Sequence, residues 1–207
     1  MNKTFNINLG GMPFVIDENA FHRLDNYLHE LKLRFAQYES NKEILHDIEF
    51  RIAEILKENL KSSTIITLSM TEDAIKLMGT PNDISGDSDS SHSNYQNSPY
   101  IKKKLFRDLE NKKVAGVCSG LAHYFGIDDP VWIRAIFLFG LLIGGSTLLP
   151  YFVFWILVKP AETASERLQM KGEPVNIDNI AHKVEEKFQQ FTDKFEELIQ
   201  KSYQKSK

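Results

Sequence analysis

Five carboxylates in the segment 43–58 are the residues of this chain that could most readily do chemistry. Acidic side chains at close spacing can bind a divalent cation or exchange protons as general acid and base. Here they lie opposite an apolar stripe of helical period, and charges on that face are what a solvated amphipathic helix requires, so we favour the solvated interpretation. The five are Glu43, Asp47, Glu49, Glu54 and Glu58.

The histidines and the cysteine give no stronger indication of catalysis. His22, His29 and His46 lack a metal-ligand spacing such as HExxH, and Cys118 has no second cysteine with which to form a disulfide. The sequence contains no recognisable nucleophile with its base, phosphate-binding loop or metal-ligand cluster. We therefore predict a protein that is not an enzyme, with no catalytic residues, no cofactor and no metal.

A long apolar segment, residues 135–158, predicts a membrane protein. It carries no charged side chain, and a continuous helix of this length would cover roughly 36 Å, against about 30 Å of bilayer hydrocarbon. The whole chain of 207 residues has a net charge of −3 and a mean hydropathy of −0.31. These values predict mostly aqueous domains around one short membrane element, and they exclude a polytopic transporter.

Small residues and a proline interrupt the apolar segment. Gly144, Gly145 and Pro150 break the helix, and neither half is long enough to span a bilayer. The segment is therefore either a single kinked crossing, which we favour, or a re-entrant hairpin that returns the chain to the same side. Trp132 and Trp155 are interfacial anchors in both arrangements.

Basic residues accumulate directly before the membrane segment, which extends over 131–158. By the positive-inside rule they hold the preceding domain in the cytoplasm, and the lack of a secretory signal at the N-terminus also favours that side. The cluster either sets topology alone or also binds anionic headgroups of the lipid bilayer. It comprises Lys102, Lys103, Lys104, Arg107, Lys112 and Lys113.

The N-terminal region is typical of an α+β domain. Alternating apolar residues on both sides of Gly10 and Gly11 predict a β-hairpin, and two segments of helical period, from Asn19 and from Ile44, predict helices that pack on it. The β-branched segment 64–68 predicts a third strand.

Apolar residues of the C-terminal segment recur at spacings of three and four, which predicts a helix with one apolar seam. Coiled-coil pairing, including pairing between two copies of the chain, is the favoured use of this seam. A helix that lies on the membrane surface is the alternative. The seam consists of Ile177, Ile180, Val184, Phe188, Phe191, Phe195 and Leu198.

The segment 103–160 resembles the phage shock protein C (PspC) domain. The resemblance rests on the basic lead KKLFR, the core VAGVCSGLAHYFGID, the following VWIR, the glycine pair and the ending WILVKP. The region before it is similar to N-terminal extensions of such proteins in Bacteroidetes. The predicted organisation is an α+β domain at 1–84, a flexible linker at 85–99, a mostly α-helical PspC domain at 100–160 and an amphipathic or coiled-coil helix at 161–207.

Apolar residues recur at helical spacing from about Lys112 to Phe125 and predict a helix there. Its small residues form a surface that another backbone can approach closely, because Gly116 and Gly120 have the small-x-x-x-small spacing of packed helices. What approaches is another part of the chain, a second copy or another protein. The surface comprises Ala115, Gly116, Ser119 and Gly120. LAHYFGIDDPVWIR also imitates a helix-turn-helix, but Arg134 is the only charge of its second helix, so no nucleic-acid partner is expected.

The resemblance to PspC implies an inner-membrane envelope-stress sensor or adaptor that acts through protein contacts. Members characterised in enterobacteria work with a small membrane partner, PspB, and sequester PspA, a peripheral membrane protein. Protein partners are therefore expected here, although the sequence does not identify them. The alternative is a structural scaffold or assembly protein of a membrane complex with no sensing role.

Overall fold

The structure is a computed structural model that describes residues 3–60, 63–80, 103–143, 145 and 147–205, with side chains to 201. The predicted linker 85–99, Lys102 and Gly144 lie outside the described residues. The fold is mostly helical, with a small two-stranded sheet at its start. In chain order the elements are β1 Thr4–Leu9, β2 Met12–Asp17, α1 Glu18–Phe35, α2 Asn41–Asn59, α3 Leu68–Met78, α4 Val117–Phe125, α5 Val131–Leu142, α6 Leu148–Leu157, α7 Ala164–Lys171 and α8 Ile177–Lys205.

The chain forms two compact units. The first, called unit 1 here, combines Met1–Ser93 with Asn176–Lys207, and the second, unit 2, consists of Asn94–Val175. Unit 1 thus contains both ends of the chain, and unit 2 contains the apolar segment. Each unit is described separately below.

The β-hairpin predicted at the N-terminus is confirmed, with β1 and β2 antiparallel. Gly10 and Gly11 form its turn, and both have positive φ, which glycine adopts without strain. A Cβ on Gly10 would also lie only 2.6 Å from the Cα of Phe50 in α2. The turn therefore needs glycine both for its conformation and for its close contact with the helix behind it.

The predicted third strand is wrong, because only one residue of that segment pairs with the hairpin. Ile66 N donates to Val15 O at 2.8 Å, and Ile66 O accepts from Asp17 N at 3.0 Å, which makes an isolated parallel bridge. Two residues later α3 begins, so the chain turns helical before a strand can form. Ile66 is nevertheless fully buried, and its apolar character is explained by the core of unit 1.

The three helices of the N-terminal region bury one apolar face each. Tyr27 and Leu31 of α1, Ile48 and Ile52 of α2 and Met78 of α3 are all buried, as the helical spacing of these residues predicts. The carboxylates of α2 mostly face outward, but Asp47 is buried, so the solvated interpretation does not hold for that residue.

The long helix α8 packs within unit 1. It contacts α2, and Lys187 Nζ donates to Glu43 Oε1 at 3.0 Å. The predicted seam divides accordingly: Ile177, Ile180 and Val184 are buried, whereas Phe191, Phe195 and Leu198 are exposed. The N-terminal half of the seam is therefore occupied within this chain, and only its C-terminal half is open to a partner.

Candidate functional site

The apolar segment folds as a helical hairpin, and the favoured single kinked helix is wrong. Phe137 and Tyr151 are in ring contact, with centroids 5.6 Å apart. Thr147 Oγ1 donates to Phe137 O at 2.9 Å, and Gly145 N donates to Leu141 O at 2.9 Å. Gly145, with φ of +70°, is one point at which the chain turns back so that α6 packs against α5.

The hairpin leaves most of its large apolar side chains on the surface. Ile136, Leu142, Leu149 and Ile156 are each more than 60% exposed. A continuous apolar surface of this kind marks a site of contact with a membrane or with another protein. Within the described residues, no helix is both long and apolar enough to cross a membrane.

The two ends of the hairpin that lie away from its turn pack on α4. Ile133 of α5 belongs to one buried cluster with Ala115, Val117, Leu121 and Ala122. Phe154 of α6 packs against the same cluster, as do Phe137 and Tyr151. Both exposed tryptophans, Trp132 and Trp155, lie near these ends. The short helix α4 therefore supports the hairpin at these two ends.

Residues 106–108 of this chain approach the small-residue surface. A Cβ on Gly120 would overlap the carbonyl oxygen of Phe106, and one on Gly116 would overlap that of Asp108. What approaches is thus an irregular segment of unit 2 rather than a second helix. The helix predicted from Lys112 begins only at Val117, because Gly116 has φ of +79° and belongs to the preceding loop.

A buried aspartate, Asp108, holds this segment to α4. Its Oδ2 accepts hydrogen bonds from Ser119 Oγ at 2.6 Å and Asn111 Nδ2 at 3.0 Å, and lies 3.3 Å from His123 Nε2. Its Oδ1 accepts from the Glu110 backbone N–H at 2.8 Å. Burial by itself would raise the pKa of Asp108, but the hydrogen bonds, that of His123 foremost, hold the pKa well below its usual range.

The cluster of Asp108, Ser119 and His123 does not have the geometry of a catalytic triad. In a triad the histidine lies between the serine and the aspartate and takes the serine proton. Here the aspartate lies between the other two, so the buried Ser119 hydroxyl donates to the carboxylate of Asp108 and not to the histidine. The arrangement fixes the fold of unit 2.

Arg107, predicted to face lipid, is instead bound to the protein. Its Nε donates to Val158 O at 2.8 Å, and its Nη1 donates to Ala115 O at 3.3 Å. Its backbone N–H donates to Lys159 O at 2.9 Å, and its carbonyl accepts from Ala161 N at 3.0 Å. The residue therefore joins the end of α6 to the loop before α4.

The described lysines of the basic cluster lie in two places. Lys103 Nζ donates to His123 O at 3.4 Å, and its stem lies beside Gly172. The backbone N–H of the adjacent Lys104 donates to Gln169 O at 3.4 Å. Lys112 and Lys113 are exposed in the loop before α4, next to the hairpin. Of the residues described, these two are the ones best placed to meet an anionic headgroup.

Sequence reasoning missed Asp108 and Tyr151. Tyr151 Oη accepts a hydrogen bond from Ala115 N at 3.3 Å, so the one tyrosine of the apolar segment ties α6 to the loop before α4. A phenol within an otherwise apolar run was the available signal, since buried tyrosine hydroxyls usually find a partner. Asp108 offered no comparable signal, because it is one of several polar residues in a loop.

The comparisons with known proteins identify the family of the segment that contains the hairpin and α4. Residues 103–161 match the family model of the PspC domain. The chain is also 34% identical over 59 residues to the uncharacterized membrane protein YvlC of Bacillus subtilis (strain 168), a match that covers 28% of this chain and 91% of that protein. The chain belongs to the PspC domain family. No solved structure matches it.

Proposed function

We propose that the protein is a phage-shock-type sensor or adaptor of the bacterial inner membrane, which acts through protein contacts and has no catalytic activity. The observation that carries the proposal is the exposed apolar surface of the α5–α6 hairpin, set on a compact support in a chain of the PspC family. This surface favours anchoring in a bilayer. Unit 1 then presents its own surface to protein partners.

In this proposal the hairpin enters the bilayer from one side only. At about 1.5 Å per residue, the twelve residues of α5 cover about 18 Å and the ten of α6 about 15 Å, which is roughly half of the hydrocarbon thickness. The N-terminal region and α8 belong to the same compact unit, and parts of one folded unit lie on one side of a membrane. In this proposal both flanks of the hairpin therefore lie on one side of the membrane, and the basic cluster favours the cytoplasmic side.

The open half of the α8 seam is the best surface for a protein partner, whether another protein or a second copy. Phe191, Phe195 and Leu198 are exposed along one face of the helix, and the rings of the two phenylalanines are stacked at 6.4 Å. Since these residues are aligned at coiled-coil spacing, a partner helix can cover them.

Topology is tested with two single-cysteine variants made in a Cys118→Ser background. Lys32→Cys lies on α1 and Lys194→Cys on α8, and both positions are exposed. A membrane-impermeant maleimide should label neither in intact spheroplasts and both after lysis. Labelling of Lys194→Cys alone in intact spheroplasts would show that the chain crosses the bilayer.

The stress role is tested by crosslinking cells before and after a protonophore dissipates the proton gradient, followed by purification of the full-length protein with its partners. A sensor or adaptor should change its partners on this treatment. The matched control is Leu142→Glu with Ile156→Glu, which places charges on the exposed hairpin and should abolish both membrane anchoring and the change of partners. A constant set of partners would favour the scaffold and overturn the stress role.

A further inference from the structure

A cavity of about 360 Å³ lies between the two helices of the hairpin and the loop before α4. Most of its wall is apolar and comes from both helices: Phe137, Leu138 and Leu141 of α5, and Leu148 and Tyr151 of α6. Its size is that of a small-molecule site, in which apolar walls bind the ligand and a few polar groups orient it.

Three of the polar residues that line this cavity are cationic. Lys112 and Lys113 of the loop and Arg134 of α5 line it, and no carboxylate does so among the described residues. Arg134 Nη2 donates to Asn111 O at 2.9 Å, which holds the guanidinium beside the loop. Three cations around one opening favour an anion, and guanidinium is well suited to phosphate.

The cationic and apolar parts lie at different depths along the hairpin. Arg134 and Leu141 are seven residues apart on α5, or roughly 10 Å along the helix axis. Leu141 O accepts from Gly145 N at the turn, so the Leu141 end of the cavity is at the tip of the hairpin. The cavity is thus charged near α4 and apolar toward the tip, which is the order of a phosphate and an acyl chain in a phospholipid.

We propose that this cavity binds one anionic phospholipid. The phosphate contacts Lys112, Lys113 and Arg134, and one acyl chain lies along the apolar wall toward the tip. A free phosphate ion would use only the cationic end and would leave the apolar wall without a ligand. The proposal goes beyond the adaptor function, although it rests on the insertion of the hairpin into a membrane.

Cys118 gives a direct measure of occupancy, because it lines the same cavity and is the only cysteine of the chain. Burial raises the pKa of its thiol, so alkylation is followed in a mildly alkaline buffer. The full-length protein in detergent is treated with N-ethylmaleimide in the presence of phosphatidylglycerol, of phosphatidylcholine with the same acyl chains, or of inorganic phosphate. Phosphatidylglycerol should slow the alkylation at least roughly fivefold more than phosphatidylcholine does.

The charge requirement is tested with Lys112→Gln and Lys113→Gln together, which leave the Arg134 contact intact. Each removed cation should weaken phosphatidylglycerol binding roughly fivefold. The matched control is Lys32→Gln with Lys57→Gln, two exposed lysines of unit 1, which changes the net charge equally and should leave the protection unchanged. Native mass spectrometry of the same samples counts retained lipid independently of thiol reactivity.

Three outcomes would overturn the proposal. Equal protection by both lipids would mean that the cavity takes up apolar chains without regard to charge. Protection by inorganic phosphate alone would make it an anion site. If neither protection nor retained lipid is found in a protein that still fractionates with membranes, the lipid site is refuted and the adaptor function is not affected. If the wild type does not fractionate with membranes, the adaptor function itself is overturned.

Discussion

Gly120→Ala is the sharpest test of the packing of unit 2, because two physical effects predict opposite changes in its stability. In an isolated helix, alanine is about 1 kcal/mol more favourable than glycine, so propensity alone predicts that the substitution in α4 is stabilising. In the structure, the added methyl group would overlap the carbonyl oxygen of Phe106 and lie 3.0 Å from its carbonyl carbon. Relief of this overlap requires the segment 106–108 to move.

That movement disturbs three backbone hydrogen bonds. Arg107 N donates to Lys159 O, Ala161 N donates to Arg107 O, and Asp108 N donates to Gly116 O, at 2.9 to 3.1 Å. Overpacking costs about 1–3 kcal/mol, and each weakened hydrogen bond costs up to about 1 kcal/mol. With about 2 kcal/mol for overpacking and about 1–3 kcal/mol for the three hydrogen bonds, less about 1 kcal/mol of helix propensity, Gly120→Ala should destabilise unit 2 by about 2–4 kcal/mol.

The measurement is a thermal melt of the full-length protein in detergent, followed by tryptophan fluorescence. Both tryptophans of the chain, Trp132 and Trp155, belong to unit 2, so the signal reports that unit alone. The expected loss corresponds to a melting temperature at least about 8 °C below that of the wild type for a unit of this size.

Gly145→Ala is the matched control. Glycine 145 has φ of +70° and no heavy atom within 4 Å of an added Cβ, so alanine costs only the backbone strain of about 1–2 kcal/mol. The structure therefore predicts that Gly120→Ala is the more damaging change, although backbone preference alone predicts the reverse order. A Gly120→Ala protein that melts at or above the wild type would refute the packing described here.

Three further predictions concern Asp108, Gly140 and the α8 seam. Since its pKa is depressed, ionised Asp108 stabilises unit 2 above its unfolded pKa of about 4, and this contribution is lost as the pH falls through the native value. The difference in melting temperature between the wild type and Asp108→Asn should therefore shrink on acidification below about pH 4. A difference that grows on acidification would show that the ionised form of Asp108 is not the stabilising one. Gly140→Ala would overlap Thr147 Cγ2, so it should lower the melting temperature of unit 2, and added Thr147→Ser, which removes that methyl group, should restore most of the loss. Val184→Asp places a charge in the buried half of the α8 seam and should unfold unit 1, as measured by circular dichroism. Phe191→Asp should leave the fold of unit 1 intact and change only the oligomers seen by size-exclusion chromatography. Equal effects of the two substitutions would show that the seam is not divided.

Local patterns predicted the elements well where one physical requirement dominated. The N-terminal hairpin follows from alternating side chains and a glycine pair, and α1 and α2 follow from apolar residues at helical spacing. The prediction of a strand at 64–68 was wrong because a β-branched composition is compatible both with a strand and with one buried residue ahead of a helix. The helix predicted from Lys112 started too early because the positive φ of Gly116 cannot be read from its neighbours.

The arrangement of the site depended on contacts between distant residues. The small residues at positions 116 and 120 leave room for a close approach, but their spacing does not identify residues 106–108 as the segment that lies there. The glycine pair was compatible with a kinked helix and with a hairpin, and the contact between Phe137 and Tyr151 decides between them. The burial of Asp108 depends on Ser119 and His123, which are eleven and fifteen residues away, and no local pattern encodes it.

Hydrogen bonding at the tip decides whether the hairpin can enter the hydrocarbon to about half of its thickness. Backbone groups that enter hydrocarbon must find partners within the protein, because no water is present to bind them. At the described positions of the tip, Gly145 N donates to Leu141 O, Leu148 N donates to Gly145 O, and Thr147 Oγ1 donates to the carbonyl of Phe137. At the other end, Lys159 pairs with Glu166 at 2.6 Å and its side chain is 57% exposed, and an exposed cation requires an aqueous or headgroup environment. The hydrogen-bonded apolar tip and the charged base thus fit the proposed insertion from one leaflet, and they give the hairpin a fixed depth, since deeper entry would bury the charged base.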